Sequence, residues 1–404
     1  MKIKKIKLGI IFDQVINTGG GFQYSLNSAF LAKKSSQHFS PIFFTIYPEN
    51  LKILKEYGIE AKYIKLNVID RALLKIRYLI SNNVFSNHVL KYLGVNKFER
   101  YLLKSKIDLV YFLSPSNWSN YLDNLNFIIT VWDLCHRDHP EFPEVYKNRI
   151  FERREIEINK FLKKSIAVIV DSKLGKENII KRYLIDSARI HILPFSPSRN
   201  IVNYKNNSNF DIKEKFKING DYIFYPAQFW AHKNHNYILR GLEILKKRYD
   251  IDLNVVFVGK DAGNLDVVKN TARELSLLDK VYFLGFVDSE DMIMLYKNSL
   301  ALVMPTYFGP TNIPPLEAFT LGVPVLYSDL PGLRDQVGNA ALLMDLKDPS
   351  SMSKYIVDLI NKEGLREKLI RLGKNKIETN NIHNKIIDLI CSDYNTKMQC
   401  WKND

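Results

Sequence analysis

Residues 307–318 read Tyr-Phe-Gly-Pro-Thr-Asn-Ile-Pro-Pro-Leu-Glu-Ala, and this stretch decides the fold class. The apolar run 300–304 before it predicts a buried strand, and residues 317–321 predict the start of a helix. Glycine and proline between the two runs force a turn. Backbone N–H groups at the start of a helix can bind a phosphate or a sugar hydroxyl, and the carboxylate of Glu317 can accept hydrogen bonds from the diol of a ribose. The stretch therefore predicts a ligand site.

The rest of the chain alternates short apolar runs with longer amphipathic segments, which is the pattern of doubly wound α/β domains. The predicted strands are residues 8–12, 41–46, 109–113, 127–132 and 167–170 in the first half and 222–226, 254–258, 281–284, 301–304 and 323–327 in the second. A polar stretch with several asparagines predicts a linker over residues 196–216. A chain of 404 residues is too long for one ordinary core, so we expect two Rossmann-like domains, residues 1–195 and 217–375.

The composition excludes several classes of protein. Hydrophobic residues make up 46% of the chain and aromatic residues 12%, which is typical of a globular protein. Cys135, Cys391 and Cys400 lie far apart, without redox or metal-ligand spacing, which favours a reducing compartment. The apolar run 8–12 is too short for a signal peptide, and no run approaches the eighteen or so apolar residues that cross a bilayer. We therefore expect a cytoplasmic protein.

The net charge of +15 is unevenly distributed, because residues 1–200 carry +14 of it. A basic half can bind nucleic acid, an anionic membrane surface or an acidic substrate. The chain has no nucleic-acid-binding motif, so nucleic acid is not an expected partner and an anionic membrane surface or an anionic acceptor is favoured.

Residues 71–93 contain the strongly basic amphipathic segment of this half. Its basic residues are Arg71, Lys75, Arg77 and Lys91. On a helix, four apolar residues would share one face: Leu73, Ile76, Ile80 and Val84. Such a helix either lies in a membrane interface or packs its apolar face on the core and exposes a basic face to solvent.

The stretch around Glu317 also resembles the donor-site signature of the retaining glycosyltransferases of family 4, which have the GT-B fold. The resemblance lies in Pro-Pro-Leu-Glu-Ala (314–318) followed by Leu-Gly-Val-Pro-Val (321–325). In that family two glutamates are separated by seven residues. Glu317 matches the second, whereas Gly309 stands in the place of the first. The resemblance implies two Rossmann-like domains that face each other across a central cleft, with a C-terminal helix (376–404) that packs back on the first domain.

The same resemblance implies further donor-site residues in the second half. Lys233 matches a lysine that neutralises the leaving diphosphate, whereas Gln228 stands where the family has an arginine. The loop whose backbone pairs with the base is matched by Phe286 and Val287. The remaining donor contacts are expected from the turn before Glu317: Thr311, Asn312 and Ile313.

A glycine-rich loop follows the first predicted strand and contains Gly19, Gly20 and Gly21. Glycines at a helix N-terminus allow close approach of an anion, although they are also typical of a simple tight turn. The position matches the loop that family-4 enzymes place against the donor diphosphate and the acceptor.

Charged and imidazole groups crowd residues 130–144, just past a predicted strand end. Such groups can position an acceptor hydroxyl or share its proton. The family commonly has a His-Asp-Leu triplet here. Asp133 matches its aspartate, Trp132 replaces its histidine, and His136 is a candidate to supply the lost imidazole. The alternative is a structural loop in which Asp133 caps a helix and a histidine is merely exposed, and for His139 a structural role is favoured.

Asp250 and Asp252 form the Asp-x-Asp pattern of metal-dependent glycosyltransferases, but they precede a predicted strand and we interpret them as turn residues. The resemblance implies no metal, and no cofactor apart from a nucleotide sugar as co-substrate.

The sequence thus predicts a retaining, metal-independent glycosyltransferase. It would transfer a hexose such as mannose from a nucleotide sugar to a hydroxyl of a cell-surface glycan, including lipid-linked acceptors, at the inner face of the membrane. The expected catalytic residues are Asp133, His136, Lys233 and Glu317. Two alternatives remain open: a GT-B protein that binds sugar nucleotides without turnover as an assembly partner, and a sugar-nucleotide epimerase.

Overall fold

The structure is a computed structural model that describes residues 5–15, 20–33, 37–80, 94–204, 210–377 and 383–401. The chain forms two compact units. Unit 1 comprises Met1–Trp132, Glu152–Pro194 and Asn381–Asp404, and unit 2 comprises Asp133–Phe151 and Phe195–Asn380.

Each unit is built on a parallel sheet. The strands of unit 1 are β1 (Ile6–Phe12), β2 (Phe39–Thr45), β3 (Ala61–Tyr63), β4 (Leu109–Phe112), β5 (Asn126–Val131), β6 (Ala167–Val170) and β7 (Ile190–Ile192), in the order β3-β2-β1-β4-β5-β6-β7. Those of unit 2 are β8 (Tyr222–Pro226), β9 (Asn254–Val258), β10 (Val281–Phe283), β11 (Leu302–Met304), β12 (Val325–Ser328) and β13 (Leu342–Met344), in the order β10-β9-β8-β11-β12-β13. The two Rossmann-like folds expected from the alternating pattern are therefore present.

Helices connect the strands. In chain order they are α1 (Gly20–Lys33), α2 (Glu49–Glu56), α3 (Val68–Ile80), α4 (Lys97–Lys104), α5 (Cys135–Asp138), α6 (Pro143–Tyr146), α7 (Ile150–Lys164), α8 (Lys173–Tyr183), α9 (Arg199–Val202), α10 (Ile212–Phe216), α11 (His235–Tyr249), α12 (Leu265–Glu274), α13 (Ser289–Lys297), α14 (Ile313–Leu321), α15 (Leu333–Val337), α16 (Ser350–Asn361), α17 (Leu365–Ile377) and α18 (His383–Met398). Within the described ranges, no helix is both long enough and apolar enough to cross a bilayer.

The central strands are buried on both faces. In β1 the side chains of Leu8, Ile10 and Ile11 are fully buried, and the same holds for Ile223 and Phe224 in β8. A parallel sheet covered on both faces requires near-continuous apolar runs, which is why these strands were predictable from sequence.

The boundaries of the units differ from the expected domains in two respects: the expected linker, residues 196–216, belongs to unit 2, and so does part of the expected first domain. Residues 133–151, expected in the first domain, belong to unit 2. The reason is a small apolar cluster in which Cys135 and Val145 pack against Phe308 of unit 2. The expected linker is also partly helical, because α9 and α10 lie within residues 196–216 and Asp211 caps α10 by accepting from the N–H of Lys213.

The C-terminal helix α18 packs in unit 1 against α1. Its residues Ile387 and Cys391 are fully buried in the same core as Leu8 and Leu26. The first core is therefore completed by the far end of the chain.

Candidate donor site in unit 2

Lys233 lies after β8, in a short 3-10 turn (Ala231–Lys233) that leads into α11. The Tyr225 hydroxyl donates to the Lys233 carbonyl at 2.9 Å, and Asn234 adopts the left-handed conformation with a φ of 55°. This turn places Lys233 beyond the carboxyl end of a central strand, where ligands of parallel sheets bind. Its Nζ lies 3.4 Å from Oδ1 of Asn312.

The surroundings of Lys233 set its charge. Burial lowers its pKa to about 8, and the nearby Cys135, Asp133 and Glu144 oppose that shift. Because the pKa stays above neutral pH, the ammonium remains mostly protonated at pH 7 in a partly desolvated position. A charge in such an environment interacts strongly with an anion.

The loop before α14 is built around a glycine. Gly309 has a φ of +98°, and a Cβ at this position would lie 2.8 Å from the carbonyl oxygen of Thr311 and 3.0 Å from Nδ2 of Asn312. Its N–H donates to Sγ of Cys135 at 3.1 Å. The backbone at position 309 therefore favours glycine, and a glutamate there would strain it.

Glu317 lies on α14 and contacts protein groups that the sequence did not indicate. Its Oε2 accepts a hydrogen bond from the Tyr296 hydroxyl at 3.0 Å. Burial raises the pKa of Glu317, and hydrogen bonds with Ser198 and Tyr296 oppose this shift. The carboxylate is therefore anchored between α13 and the segment before α9.

The other expected donor residues lie on loops of the same unit. Oε1 of Gln228 accepts a hydrogen bond from the indole N–H of Trp230 at 3.0 Å. In the loop after β10, Phe286 is 65% exposed whereas Val287 is buried. The base-binding role of Phe286 and Val287 stays a prediction, because the base would contact their backbone and not their side chains.

Asp133 makes the contact that the structural alternative expected, whereas His136 is not exposed as that alternative expected. Oδ1 of Asp133 accepts from the N–H of Cys135 at 3.0 Å, at the start of α5. His136 is fully buried, with its ring 5.6 Å from that of Phe151. These contacts favour a positioning role for Asp133 and a packing role for His136. The ring of His139 stacks with Phe308 at 5.8 Å, which is a structural contact.

Glu144 is a residue of this region that sequence reasoning missed. Its Oε1 accepts from the backbone N–H of His232 at 2.9 Å and also contacts the His232 ring at Nδ1. Burial lowers the pKa of His232 to about 4, although the hydrogen bond with Glu144 opposes that shift, so His232 is neutral. Burial would raise the pKa of Glu144, but the hydrogen bonds from His232 outweigh it and leave that pKa below its ordinary value.

No spacing in the sequence links the two residues, because 88 positions separate them. The only sequence signal was that each lies in a stretch already crowded with functional candidates. The hydrogen bond between Nδ1 of His232 and Oε1 of Glu144 fixes the His232 proton on Nδ1, because an ionised carboxylate oxygen only accepts.

The glycine-rich loop lies in unit 1. Gly20 and Gly21 begin α1, while Gly19 lies outside the described residues. A Cβ at Gly21 would lie 2.6 Å from the ring of Trp132. The replacement of the family histidine by Trp132 and the glycine at 21 are thus sterically linked, because the indole occupies the space beside the first turn of α1.

Asp250 and Asp252 lie in the turn between α11 and β9, as expected from the sequence. Asp250 ends α11 in the left-handed conformation, with a φ of 53°, and Asp252 forms an ion pair with Lys280. Across the part of the chain that the structure describes, no group of three or more His, Cys, Asp or Glu residues could hold a metal ion.

The structure therefore brings part of the predicted site together. Lys233 and Asn312 are in contact, and Asp133 and Glu144 are near enough to influence the Lys233 charge. Glu317 is tied to α13 instead, and Gly20 and Gly21 belong to the other unit.

Comparison with known proteins connects this geometry to a family. The sequence model described as "Glycosyl transferases group 1" matches residues 187–376. The O-antigen chain mannosyltransferase RfbU of Salmonella typhimurium is 28% identical over 235 residues, which cover 58% of this chain and 61% of that protein. The O-antigen chain mannosyltransferase B of Escherichia coli is 22% identical over 241 residues, which cover 59% of this chain and 62% of that protein. The chain thus matches about three fifths of the length of these relatives.

A solved structure shows which fold this chain has. The crystal structure of a glycosyltransferase from Rickettsia africae aligns with a TM-score of 0.68 at 16% identity, and the alignment covers 96% of this chain and 98% of that chain. The likeness extends over both units, so it confirms the expected GT-B fold. The two parallel sheets and the alignment over both units show the GT-B fold, and within it residues 187–376 match the model of the glycosyl transferases group 1.

Proposed function

We propose that this protein is a retaining glycosyltransferase that transfers a hexose, such as mannose, from a nucleotide sugar to a hydroxyl of a cell-surface glycan. The observation that carries the proposal is the half-buried ammonium of Lys233 beyond the carboxyl end of β8, next to Asn312 at the start of α14. The mannose-like donor and the glycan acceptor rest on the names of the two O-antigen mannosyltransferases to which the chain is similar.

The chemistry that suits these residues is substitution on one face of the sugar. The bond between the anomeric carbon and the diphosphate oxygen breaks, and the acceptor oxygen bonds to the same face. The proton of the acceptor hydroxyl goes to the departing phosphate. Negative charge grows on the diphosphate during this step, so a preorganised cation stabilises the transition state more than the ground state. Lys233 supplies that cation.

A binding and product experiment tests the proposal. Thermal unfolding is followed with UDP, GDP, ADP and dTDP and with their hexose derivatives, with and without EDTA. One base should stabilise the protein, by about 2.7 kcal/mol at a hundred times the dissociation constant. With a glycan acceptor, the product should retain the anomeric configuration of the donor, and EDTA should have no effect.

The other outcomes identify the two alternatives. If the protein binds a sugar nucleotide but neither transfers the sugar nor slowly hydrolyses the donor, it is a non-catalytic sugar-nucleotide-binding protein. An epimerised sugar nucleotide in the absence of acceptor would identify an epimerase. Loss of activity in EDTA would contradict the metal-independent mechanism.

We further propose that unit 1 binds the anionic inner face of the membrane, where lipid-linked acceptors would be found, through α3. The apolar residues of α3 face outward, since Val68, Ile69, Leu73 and Ile76 are 83%, 69%, 58% and 51% exposed. The core contact is made by Leu74 instead. The expectation that the apolar face of this segment packs on the core and a basic face is exposed is wrong, because the exposed face is apolar and the core-facing side includes arginines. The exposed apolar face supports the alternative of a helix in a membrane interface. Ile80 is the last residue of α3, while Val84 and Lys91 lie outside the described residues.

Of the basic residues of α3 that were expected to contact the membrane, both arginines instead contact side chains of unit 1. The guanidinium of Arg71 lies 5.7 Å from the Tyr47 ring centroid, and Arg77 forms a 2.8 Å ion pair with Asp123. Lys75 is exposed. The attachment therefore depends mainly on apolar insertion of α3, with a smaller electrostatic contribution.

Vesicle sedimentation tests this attachment. Wild-type protein should pellet with vesicles rich in phosphatidylglycerol, and Leu73→Ser with Ile76→Ser should weaken binding at least about tenfold, since each buried large apolar side chain contributes about 1.5–3 kcal/mol. The matched control is Val267→Ser with Leu278→Ser, which removes exposed apolar side chains from unit 2. Equal pelleting of wild type and the α3 variant would show that α3 does not bind lipid.

A further inference from the structure

Three side chains of unit 2 form a hydrogen-bond network at the start of α14. They are Asn312 itself, Tyr327 on β12 and Gln336 on α15. The amide of Gln336 binds the backbone of Asn312 twice, because its Oε1 accepts from the Asn312 N–H at 3.0 Å and its Nε2 donates to the Asn312 carbonyl at 2.6 Å. A backbone N–H only donates and a carbonyl only accepts, so the orientation of the Gln336 amide is fixed.

The direction of each remaining bond follows from that orientation. The Tyr327 hydroxyl lies 3.1 Å from Oε1 of Gln336, which only accepts, so the hydroxyl donates there. Its oxygen then accepts from Nδ2 of Asn312 at 2.7 Å. Nδ2 of Asn312 also lies 3.3 Å from the carbonyl oxygen of Phe308, another acceptor. The side chain of Asn312 therefore presents its oxygen, and not its nitrogen, toward Lys233.

We propose that Tyr327 and Gln336 are positioning residues of the donor site, which orient Asn312 so that its amide oxygen holds the Lys233 ammonium in place for the leaving diphosphate. This inference rests on the proposed function of Lys233. Gly309 leaves no carboxylate in this loop at the family position. A neutral amide oxygen orients an ammonium without cancelling its charge, whereas a carboxylate would pair with it.

The first test does not depend on turnover. Lysine amines are labelled by reductive ¹³C-methylation, the Lys233 signal is assigned with Lys233→Arg, and its titration is followed by NMR. The wild-type signal should titrate near pH 8. In Asn312→Asp the midpoint should rise by about one unit or more, because a carboxylate then occupies the position of Oδ1. In Tyr327→Phe it should fall, because the Asn312 amide is able to rotate and present its nitrogen.

The other ionisable groups near Lys233 stay unchanged in these variants. They are Asp133, Glu144, Cys135, His232 and His235. If the Lys233 midpoint is the same in wild type, Asn312→Asp and Tyr327→Phe, the proposal is overturned, whether or not the protein turns over a sugar nucleotide.

The second test is kinetic and uses the donor found in the binding panel. Tyr327→Phe should lower kcat about tenfold and change KM less than about twofold, since the loss concerns charge that develops in the transition state. In the background of Lys233→Ala the same substitution should have little further effect, because the two residues act through one interaction.

Tyr222→Phe is the matched control. Tyr222 begins β8 and is also fully buried, and its hydroxyl donates to the Leu295 carbonyl at 2.9 Å. The substitution removes one buried hydroxyl at the opposite end of the strand from Lys233 and should leave kcat unchanged. An equal loss of kcat in both tyrosine variants, or additive losses with Lys233→Ala, would show that Tyr327 acts only on stability.

Discussion

His232 and Lys233 are adjacent, yet they differ in charge at neutral pH. Burial lowers the pKa of His232 to about 4 and that of Lys233 to about 8. The histidine is therefore neutral at pH 7 and the lysine protonated. The cation in this turn is the lysine, while His232 serves as a fixed hydrogen-bond donor to Glu144.

The proposed role of Lys233 predicts an alkaline limit of activity. In the proposed mechanism the protonated amine is the active form, and it loses its charge as the pH rises through about 8. We expect kcat/KM to fall about tenfold per pH unit above that value, since this parameter reports the ionisation of the unbound enzyme. Lys233→Arg should retain some activity and lose the alkaline limit, because arginine stays charged. A wild-type profile that is flat from pH 7 to 10 would contradict this role.

Glu317, in the middle of α14, provides a test of donor binding. We expect Glu317→Gln to lower donor affinity and activity at least tenfold, because hydrogen bonds to a charged group contribute about 1.5–3 kcal/mol. Tyr296→Phe is the control, since it removes only the hydroxyl that contacts Glu317. Calorimetric titration with the best nucleoside diphosphate measures both. If Glu317→Gln binds as wild type does, the carboxylate serves only to join α13 and α14.

At the scale of elements, the loop before α14 differs in shape from a loop that would carry a glutamate. Gly309 adopts a positive φ, and its N–H donates to Cys135 of α5. Asn312 precedes two prolines in the first turn of α14. The loop is thus fixed at several points, which leaves little space for a side chain at 309.

Restoring the family residue should therefore fail. We expect Gly309→Glu to lower both stability and turnover, because its Cβ would lie 2.8 Å from the Thr311 carbonyl and its backbone angle disfavours any residue with a Cβ. Gly309→Ala is the control, since it adds the Cβ without the carboxylate and should cost about 1–3 kcal/mol. Chemical denaturation and initial rates measure the two effects. Higher turnover in Gly309→Glu than in wild type would mean that the carboxylate can be restored.

At the scale of the whole molecule, the two ends of the chain share a core. Helix α18 packs on α1, and the Tyr394 hydroxyl donates to the Asp108 carbonyl at 3.3 Å. Unit 2 likewise includes a segment, residues 133–151, from the middle of the first half. Neither unit is therefore a continuous piece of sequence, and cutting the chain at the expected linker would leave both incomplete.

This arrangement makes α18 a stabilising element of unit 1. We expect Ile387→Ala to destabilise unit 1 by about 2–5 kcal/mol, because a fully buried side chain is removed and a cavity remains. Leu389→Ala, two residues along the same helix at a 62% exposed position, should change stability by less than about 0.5 kcal/mol. Hydrogen exchange should show faster exchange in β1 and β4 for Ile387→Ala alone. Equal exchange in the two variants would contradict the packing of α18.

The amino-acid pattern was sufficient to predict the fold class and the main strands, and it indicated a resemblance to a family. Long apolar runs separated by amphipathic segments predicted β1, β8 and β9, because strands buried on both faces have to be apolar throughout. The strands that were not predicted are β3, β7 and β13, which lie at sheet edges and have three residues each. Such short strands carry little periodic signal. β10 and β11 also have three residues each, but they were predicted because they lie within the apolar runs 281–284 and 300–304.

Only the tertiary structure decided how the site is assembled. The contacts of Lys233 with Asn312, of Glu144 with His232 and of Gly309 with Cys135 join residues 79, 88 and 174 positions apart. The outward apolar face of α3 was equally undetermined, since periodicity shows that a helix is amphipathic but not which face meets the core. Local sequence fixes backbone preference and burial tendency, whereas charge state and side-chain orientation depend on groups that are distant along the chain.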